Sequence, residues 1–559
     1  MRGKWRAGLV VSSMALMAGT FVAVGSATVA LVTATPAGAT AQKPLNLANE
    51  QGLLWPCTFN PFNPSDAAYS VGVTYETLDF IDALNNAKVT PWLASSYAWS
   101  NGNKTLTFTI RSGVKWTDGK PLTAADVAYT FNLIKSHAAL DVNAVWTVLS
   151  SVAQKGANQV VFTFKSPAVP YFYYVAGQTP IVPQHLWSKI ANPVTYADST
   201  PLGSGGYVMN KCTPQNIQWT ANPHYWQMGL AKVKTVNMPA FLSNNTCNEY
   251  LATGQSAWGS QFIPNIKSYY VDKLAGNSYW FPPVANVVLF PNLTVAPLND
   301  VAVRQAISYG IDRASMSRIG EYGYEPPASQ DGIVSPTFSS WASSAAVAKI
   351  GTGYNPAKAK SILEADGYKL VNGVMTKNGK QLALTIMTNG GYSDWVASMQ
   401  VVGQELAKVG IKITVDGVAA TNFYSDLYSG KYQLAYNAEA GGPAPFYEMR
   451  QWLFSKNSAP IGTAASSNWE RYSSPAVDAL LNQYTSTTSS ATQHSILNQL
   501  QNVMATQVPV IPVLEEVDWF QYNSKQYTGF PSPTNSYAQP GLYNIPDWGV
   551  VLLHLKPIG

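Results

Sequence analysis

The stretch TLTFTIRSGVKWTDGKPLTAADVAYTFNLIK, residues 105–135, changes its periodicity along its length. At its start, threonine alternates with Leu106, Phe108 and Ile110. An alternation with a period of two is typical of a strand with one buried face. The stretch is therefore predicted to begin with a half-buried strand.

A turn and a helix are predicted after this strand. Asp118 and Gly119 form a pair that favours a tight turn. Thr123 is a good N-cap, and Asp126 lies where a carboxylate completes a capping box. A helix is therefore expected to begin at Ala124, which gives a unit of strand, turn and helix.

Later segments alternate between strand and helix patterns. Residues 159–164, QVVFTF, indicate another strand. Asn299 or Asp300 is the expected cap of one helix, and Asn355 is the expected cap of a second. Residues 381–418 indicate a strand, a helix and a strand, and such a unit favours parallel strands. The predicted fold class is α/β.

The glycine-rich segment PLGSGGYVMNK, residues 201–211, is followed by strand-like sequence. A phosphate-binding loop of the Walker type needs Gly-Lys-Ser/Thr and then a helix. We therefore interpret this segment as a crossing point between domains.

Length and composition restrict the class of protein. The chain has 559 residues, which is enough for two or three domains. Charged residues make up 12% of the chain, and the formal net charge is +5. No block of lysine and arginine is present to bind phosphates. The composition favours small polar ligands and argues against nucleic acid as a partner.

Residues 1–39 have the pattern of a secretory signal peptide. Basic residues precede a long uncharged run, and Ala39 and Ala41 suit the specificity of signal peptidase. The protein is therefore expected to be exported. Because the apolar region is longer than is usual for a signal peptide, an uncleaved membrane anchor is the alternative.

Export favours disulfide formation among Cys57, Cys212 and Cys247. We expect Cys212 to pair with Cys247, which leaves Cys57 as the odd cysteine. The alternative is that all three are buried thiols, because connectivity cannot be deduced from spacing.

Residues suited to catalysis or metal binding are scarce. The five histidines form no His-Glu-x-x-His motif, and no Gly-x-Ser-x-Gly motif occurs. The sequence thus argues against zinc and serine hydrolases, and no cofactor or metal is expected. A glycoside hydrolase needs only two carboxyl groups, and Glu515 and Glu516 are adjacent. Neighbours on a strand point to opposite faces, however, which argues against this pair.

The opening stretch resembles the signature region of the family 5 extracellular solute-binding proteins, the peptide, nickel and oligosaccharide receptors of ABC importers. The matching residues are Arg111, Gly113, Val114, Trp116, Asp118, Gly119, Pro121, Thr123, Ala124, Asp126 and Val127. Further motifs follow in the order of the family: VTYETLDF (73–80), NPHYW (222–226), LNDVAVRQAISYGIDR (298–313), YNPAKAKSILEADGY (354–368), LAKVGIKITV (406–415) and QVPVIPV (507–513). The resemblance covers nearly the whole exported chain.

The resemblance implies a two-lobed α/β fold of the periplasmic-binding-protein type II, with an extra inserted domain. Lobe I would combine residues 42–69, 199–292 and 522–559. The inserted domain would span residues 70–198, and lobe III would span residues 293–521. A ligand would be enclosed between the lobes as they close about a hinge, so the protein would be a receptor and not an enzyme.

The resemblance also implies where a ligand is held. In the family, an acidic residue, usually Asp, in a pattern like Trp-x-Ala-Asp binds the amino group of a peptide. The matching stretch here is AYNAEAGG, in which Tyr436 replaces the aromatic residue and Glu439 replaces the Asp. The other candidates for ligand contact are Leu54, Trp55, Asn437, Tyr447, Trp452 and Glu515. A second acidic anchor at Glu515 and Glu516 would favour a cationic ligand.

The implied function is an extracellular receptor that delivers oligopeptides or peptide-like solutes to an ABC permease and its ATPase subunits. An oligosaccharide receptor is the alternative, because tryptophan and tyrosine are abundant, and a secreted glycan hydrolase is a further alternative. The protein is expected to be a monomer that acts outside the cell, at the cell surface or in the periplasm. No cysteine directly follows the signal core, so the expected membrane association is through the permease or an N-terminal anchor.

Overall fold

The computed structural model describes residues 42–49, 52–63, 68–85, 87–349, 353–439 and 441–558. The predicted signal segment, residues 1–39, lies outside the described residues. Of the helices within these ranges, none has the length and apolar character needed to cross a membrane.

The described chain contains both strands and helices, with several runs of consecutive strands. The strands are β1 (Leu45–Ala48), β2 (Asp79–Asp82), β3 (Lys88–Pro91), β4 (Ala94–Ser100), β5 (Thr105–Ile110), β6 (Leu149–Lys155), β7 (Gln159–Phe164), β8 (Tyr207–Thr213), β9 (Asn216–Ala221), β10 (Thr235–Pro239), β11 (Trp258–Gly259), β12 (Asn277–Tyr279), β13 (Pro283–Pro291), β14 (Lys369–Val371), β15 (Val374–Lys377), β16 (Lys380–Gln381), β17 (Ala383–Asn389), β18 (Lys412–Val418), β19 (Leu434–Ala438), β20 (Ile511–Val517), β21 (Gln521–Asn523), β22 (Tyr527–Thr528) and β23 (Lys556–Pro557). The helices are α1 (Ala124–Ser136), α2 (Gln184–Trp187), α3 (Asn244–Ala252), α4 (Ile266–Tyr269), α5 (Val301–Gly310), α6 (Arg313–Gly320), α7 (Ser344–Lys349), α8 (Pro356–Ala365), α9 (Ser393–Ala407), α10 (Ala420–Ser429), α11 (Pro445–Leu453), α12 (Pro475–Ser486), α13 (Ser490–Gln507) and α14 (Asp547–His554), with a π-helix at Tyr173–Gly177.

The first large sheet has seven strands among the described residues, in the order β12-β21-β11-β1-β10-β9-β8. β1 lies inside this sheet and pairs in parallel with β10 and β11, whereas the remaining pairs are antiparallel. Trp55, Trp219, Trp258 and Trp548 are buried in the apolar core of this part of the chain. Both termini of the described chain therefore contribute to one core.

The second large sheet has five strands in the described chain, in the order β18-β17-β19-β13-β20. β17 pairs in parallel with β18 and with β19, and α9 connects β17 to β18. The predicted unit of strand, helix and parallel strand is therefore confirmed.

β13 corrects one predicted domain boundary. The sequence analysis places residues 199–292 in lobe I, yet β13 pairs with β19 and β20 of the second sheet. The predicted boundary after residue 292 is therefore wrong, because the boundary has to precede β13 in the sequence if this strand is to belong to the second sheet. An apolar run such as β13 indicates a buried strand, but it carries no signal for which of two sheets the strand joins.

The opening stretch folds as predicted. β5 buries its three apolar side chains in an antiparallel sheet of four strands, β4-β5-β7-β6. α1 begins at Ala124, where the Asp126 carboxylate accepts a hydrogen bond from the Thr123 N–H at 2.8 Å. The Thr123 hydroxyl accepts hydrogen bonds from the Ala125 N–H at 3.2 Å and from the Asp126 N–H, and the latter completes the predicted capping box.

Two further predicted helix caps are in place. Asp300, and not Asn299, caps α5 and accepts a hydrogen bond from the Ala302 N–H at 2.9 Å. Asn355 caps α8 by accepting one from the Lys358 N–H at 2.9 Å. These local signals are confirmed because a cap depends only on residues within one helical turn.

Glu76 joins three segments of the chain. Its buried carboxylate accepts hydrogen bonds from the Ser204 hydroxyl at 2.6 Å, the Tyr225 hydroxyl at 2.8 Å and the Trp226 indole at 3.0 Å. Burial raises the pKa of Glu76 to about 7, although the three donors favour its charged form. The VTYETLDF and NPHYW motifs thus meet at a single carboxylate.

The glycine-rich segment passes close to the backbone that precedes Glu76. The Gly205 N–H donates to the Thr74 carbonyl at 2.9 Å, and the Tyr207 N–H donates to the Val73 carbonyl at 3.0 Å. A Cβ on Gly205 would lie 2.2 Å from the Val73 oxygen, and one on Gly203 would lie 1.9 Å from the Thr74 oxygen. The glycines permit this close backbone contact, which supports the predicted crossing point.

The disulfide joins Cys57 to Cys212, with 5.7 Å between their Cα atoms, so the expected pair of Cys212 and Cys247 is wrong. The loop that contains Cys57 lies against the hairpin of β8 and β9, where the Trp55 N–H donates to the Pro214 carbonyl at 2.9 Å. Cys247 is buried on α3 in a separate apolar cluster with Leu251. Tertiary packing, and not separation in sequence, selects the pair.

The disulfide can be tested by mapping cysteines in the purified protein. Alkylation of the unfolded, unreduced protein is expected to modify Cys247 alone and to leave a peptide pair linked through Cys57 and Cys212. Loss of this bond is expected to lower the free energy of unfolding by up to about 5 kcal/mol, since it closes a long loop. A linked pair that contains Cys247 would contradict the assignment.

The close contact at the crossing point predicts that alanine is not tolerated at Gly205. Gly205→Ala is expected to lower the free energy of unfolding by at least about 2 kcal/mol, because the new Cβ would meet a backbone oxygen. The control is Gly403→Ala in α9, where the Cβ would lie 3.6 Å from Ile413. This control is expected to match the wild type or to be up to about 1 kcal/mol more stable. Denaturant titrations compare the two, and equal stabilities would contradict the prediction.

Candidate functional site

A cavity of about 510 Å³ lies between the two large sheets. Its lining includes Asn49 and Gln261 beside the first sheet, Ala285 and Asn437 on the second, and Tyr173 of the π-helix. This volume is typical of sites that enclose a small organic ligand. A solute in the cavity would therefore contact three parts of the chain at once.

The cavity combines aromatic and acidic walls. Its aromatic residues include Tyr392, Trp395, Trp469 and Trp519. The acidic side chains in its lining are those of Asp394, Glu439 and Glu516. A ligand with apolar surface and positive charge would be complementary to such walls.

Glu439 follows β19 and lines the cavity. Its side chain is buried, and neither carboxylate oxygen has a hydrogen-bond partner among the described residues. Burial raises its pKa well above the ordinary value for glutamate, and the negative charge of Glu448 raises it further. The Trp452 indole acts in the opposite direction, although it lies outside hydrogen-bonding geometry. A positively charged ligand group would supply the partner that this carboxylate lacks.

Asn437 is the second predicted ligand residue that lines the cavity. It lies on β19 near Glu439, and its amide donates to the Ala438 carbonyl at 2.7 Å. The side chain is almost fully buried. Ligand contact by Asn437 beside Glu439 stays a prediction.

Trp55 and Leu54 lie outside the cavity lining. The Trp55 indole donates to the Met238 carbonyl at 2.9 Å, and its ring packs against Tyr69 with the centroids 5.3 Å apart. Leu54 is 48% exposed. These contacts give Trp55 a role in the first core, and ligand contact by either residue stays a prediction.

Tyr447 and Trp452 of α11 also lie outside the lining. The Tyr447 hydroxyl donates to the Pro170 carbonyl at 2.9 Å and so connects α11 to the segment before the π-helix. Trp452 is fully buried. Both residues pack in the core behind the cavity wall, and ligand contact by them stays a prediction.

Glu515 and Glu516 point to different sides of β20, as the alternation of a strand predicts. Glu515 accepts a hydrogen bond from the Ser335 N–H at 2.7 Å and does not line the cavity, whereas Glu516 does. Tyr436 is fully buried and lies 5.1 Å from Trp395 between ring centroids, also outside the lining. Ligand contact by Glu515 and Tyr436 stays a prediction.

Asp394 is one of the cavity residues that the sequence analysis missed. It lies in the first turn of α9, where an acidic residue is ordinarily explained by the helix dipole. No local signal marks it as part of a site, because the other carboxyl groups of the lining, those of Glu439 and Glu516, come from distant segments. The described residues contain no group of three or more His, Cys, Asp or Glu side chains arranged to hold a metal ion.

Comparisons with known proteins identify the family. The model of the bacterial extracellular solute-binding proteins, family 5 Middle, matches residues 88–460. The glutathione-binding protein GsiB of Escherichia coli K12 is 26% identical over 510 residues, which cover 84% of this chain and 92% of GsiB. The nickel-binding periplasmic protein of the same organism is 24% identical over 411 residues, which cover 70% of this chain and 75% of that protein.

Solved structures agree with the fold. A periplasmic oligopeptide-binding protein of an ABC transporter from Thermotoga maritima, solved with mannohexaose bound, superposes with a TM-score of 0.86 at 27% identity, covering 92% of this chain and 99% of that chain. The oligopeptide-binding protein AppA from Bacillus subtilis, solved with a nonapeptide, gives a TM-score of 0.78 at 20% identity, covering 93% and 99%. The expected two-lobed α/β fold is therefore confirmed.

The family match spans well over half of the chain and includes both the signature stretch and the segment that carries Glu439. The chain therefore belongs to family 5 of the bacterial extracellular solute-binding proteins, which are receptors and not enzymes.

Proposed function

We propose that this protein is the extracellular substrate-binding receptor of an ABC importer and that it captures peptide-like solutes with a free amino group. The observation that carries this proposal is Glu439, a buried carboxylate on the cavity wall whose two oxygens lack hydrogen-bond partners among the described residues. An ammonium group in the cavity would pair with it, and pairing would favour the charged carboxylate.

Relatives support a peptide-like ligand. Those named for their ligands bind glutathione, nickel or oligopeptides, and glutathione is itself a peptide. In the peptide-binding members that the sequence resembles, an Asp at the position of Glu439 holds the amino terminus. Glu439 keeps the charge with one more methylene, so the ammonium group would bind farther from β19 than in those members.

Closure about a hinge would enclose the ligand. Two short connections join the two large sheets, one between β12 and β13 and the other between β20 and β21. They lie side by side, since the Asp518 N–H donates to the Pro282 carbonyl at 2.8 Å and the rings of Phe281 and Trp519 lie 4.8 Å apart. We propose that lobes built on the two sheets rotate about these connections, with residues 70–198 carried as the inserted domain.

The receptor would act outside the cytoplasmic membrane. Relatives named as periplasmic and the predicted signal segment support export to the cell surface, the periplasm or the medium. The receptor would present its solute as a monomer to an ABC permease with its ATPase subunits. Association with the membrane would come from the permease or from an N-terminal anchor.

An oligosaccharide ligand is the second candidate. The Thermotoga maritima relative was solved with mannohexaose, and Trp395, Trp469 and Trp519 offer flat surfaces on which sugar rings could stack. Glu439 favours the peptide, because a neutral sugar would leave its carboxylate without a charged partner.

The anchor is tested by Glu439→Gln. The variant is expected to bind tri- to pentapeptides about 10 to 100 times more weakly than the wild type, since a hydrogen bond to a charged group contributes roughly 1.5–3 kcal/mol. N-acetylation of the peptides should weaken binding to the wild type by a similar factor and have little further effect on the variant. Isothermal titration calorimetry measures each affinity.

Glu470→Gln is the matched control. Glu470 is equally buried and its carboxylate oxygens also lack hydrogen-bond partners in the described chain, but it does not line the cavity. This variant is expected to keep the affinity for free peptides. Peptide binding that is unchanged in Glu439→Gln would reject the anchor, and binding of mannooligosaccharides without peptide binding would favour the second candidate.

A further inference from the structure

Four carboxyl groups form an acidic cluster beside the cavity: Glu321, Glu325, Asp394 and Glu516. They come from three elements, since Glu321 and Glu325 follow α6, Asp394 lies at the start of α9 and Glu516 lies on β20. Glu321 and Glu325 are completely buried and Asp394 nearly so. Tertiary folding thus brings together negative charges that are far apart in sequence.

The hydrogen bonds of the acidic cluster are incomplete. The Ser398 hydroxyl donates to Glu321 at 2.6 Å, and the Asn244 amide donates to Asp394 at 2.8 Å. Both oxygens of Glu325 and one oxygen each of Glu321 and Glu516 are buried without a partner in the described part of the chain. The Val517 N–H and the carboxyl group of Glu516 lie near Glu325 but outside hydrogen-bonding geometry. Buried polar atoms usually have partners, so these oxygens can accept hydrogen bonds from a further donor.

Among the described residues, no positive side chain forms an ion pair with the cluster. Burial, followed by the charge of Asp394, raises the pKa of Glu516 to about 8, and burial raises that of Asp394 to about 6. Burial also raises the pKa values of Glu321 and Glu325, and neighbouring carboxylates add to the rise. The cluster is therefore costly to the ligand-free protein once it is charged.

The hydroxyl of Tyr436 provides an independent sign of a binding site. Tyr436 is fully buried, and its hydroxyl has no hydrogen-bond partner among the described residues. Burial raises its pKa well above the ordinary value for tyrosine, and all four carboxyls of the cluster raise it further. The hydroxyl therefore faces the cluster as an unused polar group.

The cavity gives a ligand access to two members of the acidic cluster. Asp394 and Glu516 line the cavity, together with the rings of Trp395 and Trp519. From the contacts of these residues we infer that the acidic cluster is a second subsite, which binds a guanidinium or ammonium side chain of the captured solute. This inference rests on the proposed function, because it assigns the class of peptide that the receptor selects.

The chemistry of the subsite favours a guanidinium group. A guanidinium group has five N–H donors in a planar fork, which suits several carboxylate oxygens at once, and it stacks on tryptophan rings. A metal ion is less suited, since the described residues include no cluster with metal-binding geometry. With Glu439 on the same cavity wall, the preferred solute is a peptide with a free amino terminus and an arginine side chain.

The subsite is tested with matched peptide pools. Pools of tri- to pentapeptides with one arginine are compared with pools in which citrulline, a neutral isostere, replaces it. The wild type is expected to bind the arginine pools at least about tenfold more tightly. Glu516→Gln and Asp394→Asn are expected to reduce this ratio to less than about threefold. Native mass spectrometry and calorimetry measure the affinities.

Glu470→Gln is again the matched control. It removes a buried carboxyl group that belongs neither to the cavity lining nor to the acidic cluster, and it should keep the ratio. Melting temperatures verify that each variant is folded, and the comparison of peptides in the wild type needs no variant at all.

The outcomes separate the two proposals. Equal affinities of the wild type for both pools would overturn the subsite and leave peptide capture intact. Binding of neither pool would overturn the proposed function and the subsite with it. An equal loss of the ratio in Glu470→Gln, or stabilisation of the peptide-free wild type by calcium chloride that Glu516→Gln abolishes, would also reject a site for an organic cation.

Discussion

The contact between the backbone of residues 73–76 and the glycines of residues 203–206 fixes where the chain enters and leaves the segment between them. The chain between these two segments contains the four-stranded sheet and the π-helix. This part of the chain begins and ends at the contact. Glu76 completes it by accepting three hydrogen bonds from residues on the returning side. Because Tyr173 of the π-helix lines the cavity, the shape of the cavity depends on glycines and a carboxylate that lie outside its lining.

The cavity is lined in part by carboxyl groups whose buried oxygens lack partners among the described residues. Glu439 and the acidic cluster form no ion pairs with other described residues, and burial raises the pKa values of their carboxyl groups. A positive solute in the cavity would offset the free-energy cost of charging them. The aromatic residues of the lining add apolar surface, which would contact many kinds of peptide side chain without selecting one peptide sequence. A site that selects positive charge at a few positions and tolerates varied groups elsewhere would suit a receptor that accepts a class of solutes.

Local structure could be predicted from the sequence wherever it depends only on residues within one helical turn or one strand. The capping box of Thr123 and Asp126, the caps at Asp300 and Asn355 and the alternation in β5 are confirmed at the predicted residues. The predicted disulfide and the boundary at residue 292 are wrong, because both depend on which distant segments pack together. Glu439 was found only through resemblance, since its own neighbours are small and uncharged and indicate an ordinary loop.

The sequence by itself therefore determined the family, the α/β class, the capped helices and one carboxylate of the candidate site. Tertiary structure decided which strand joins which sheet, that Cys57 and not Cys247 pairs with Cys212, and that Glu516 faces the cavity while Glu515 does not. It also brought Asp394 beside Glu516 from more than a hundred residues away. The physical reason is range: caps and alternation act within a few residues, whereas burial and charge depend on every segment that packs nearby.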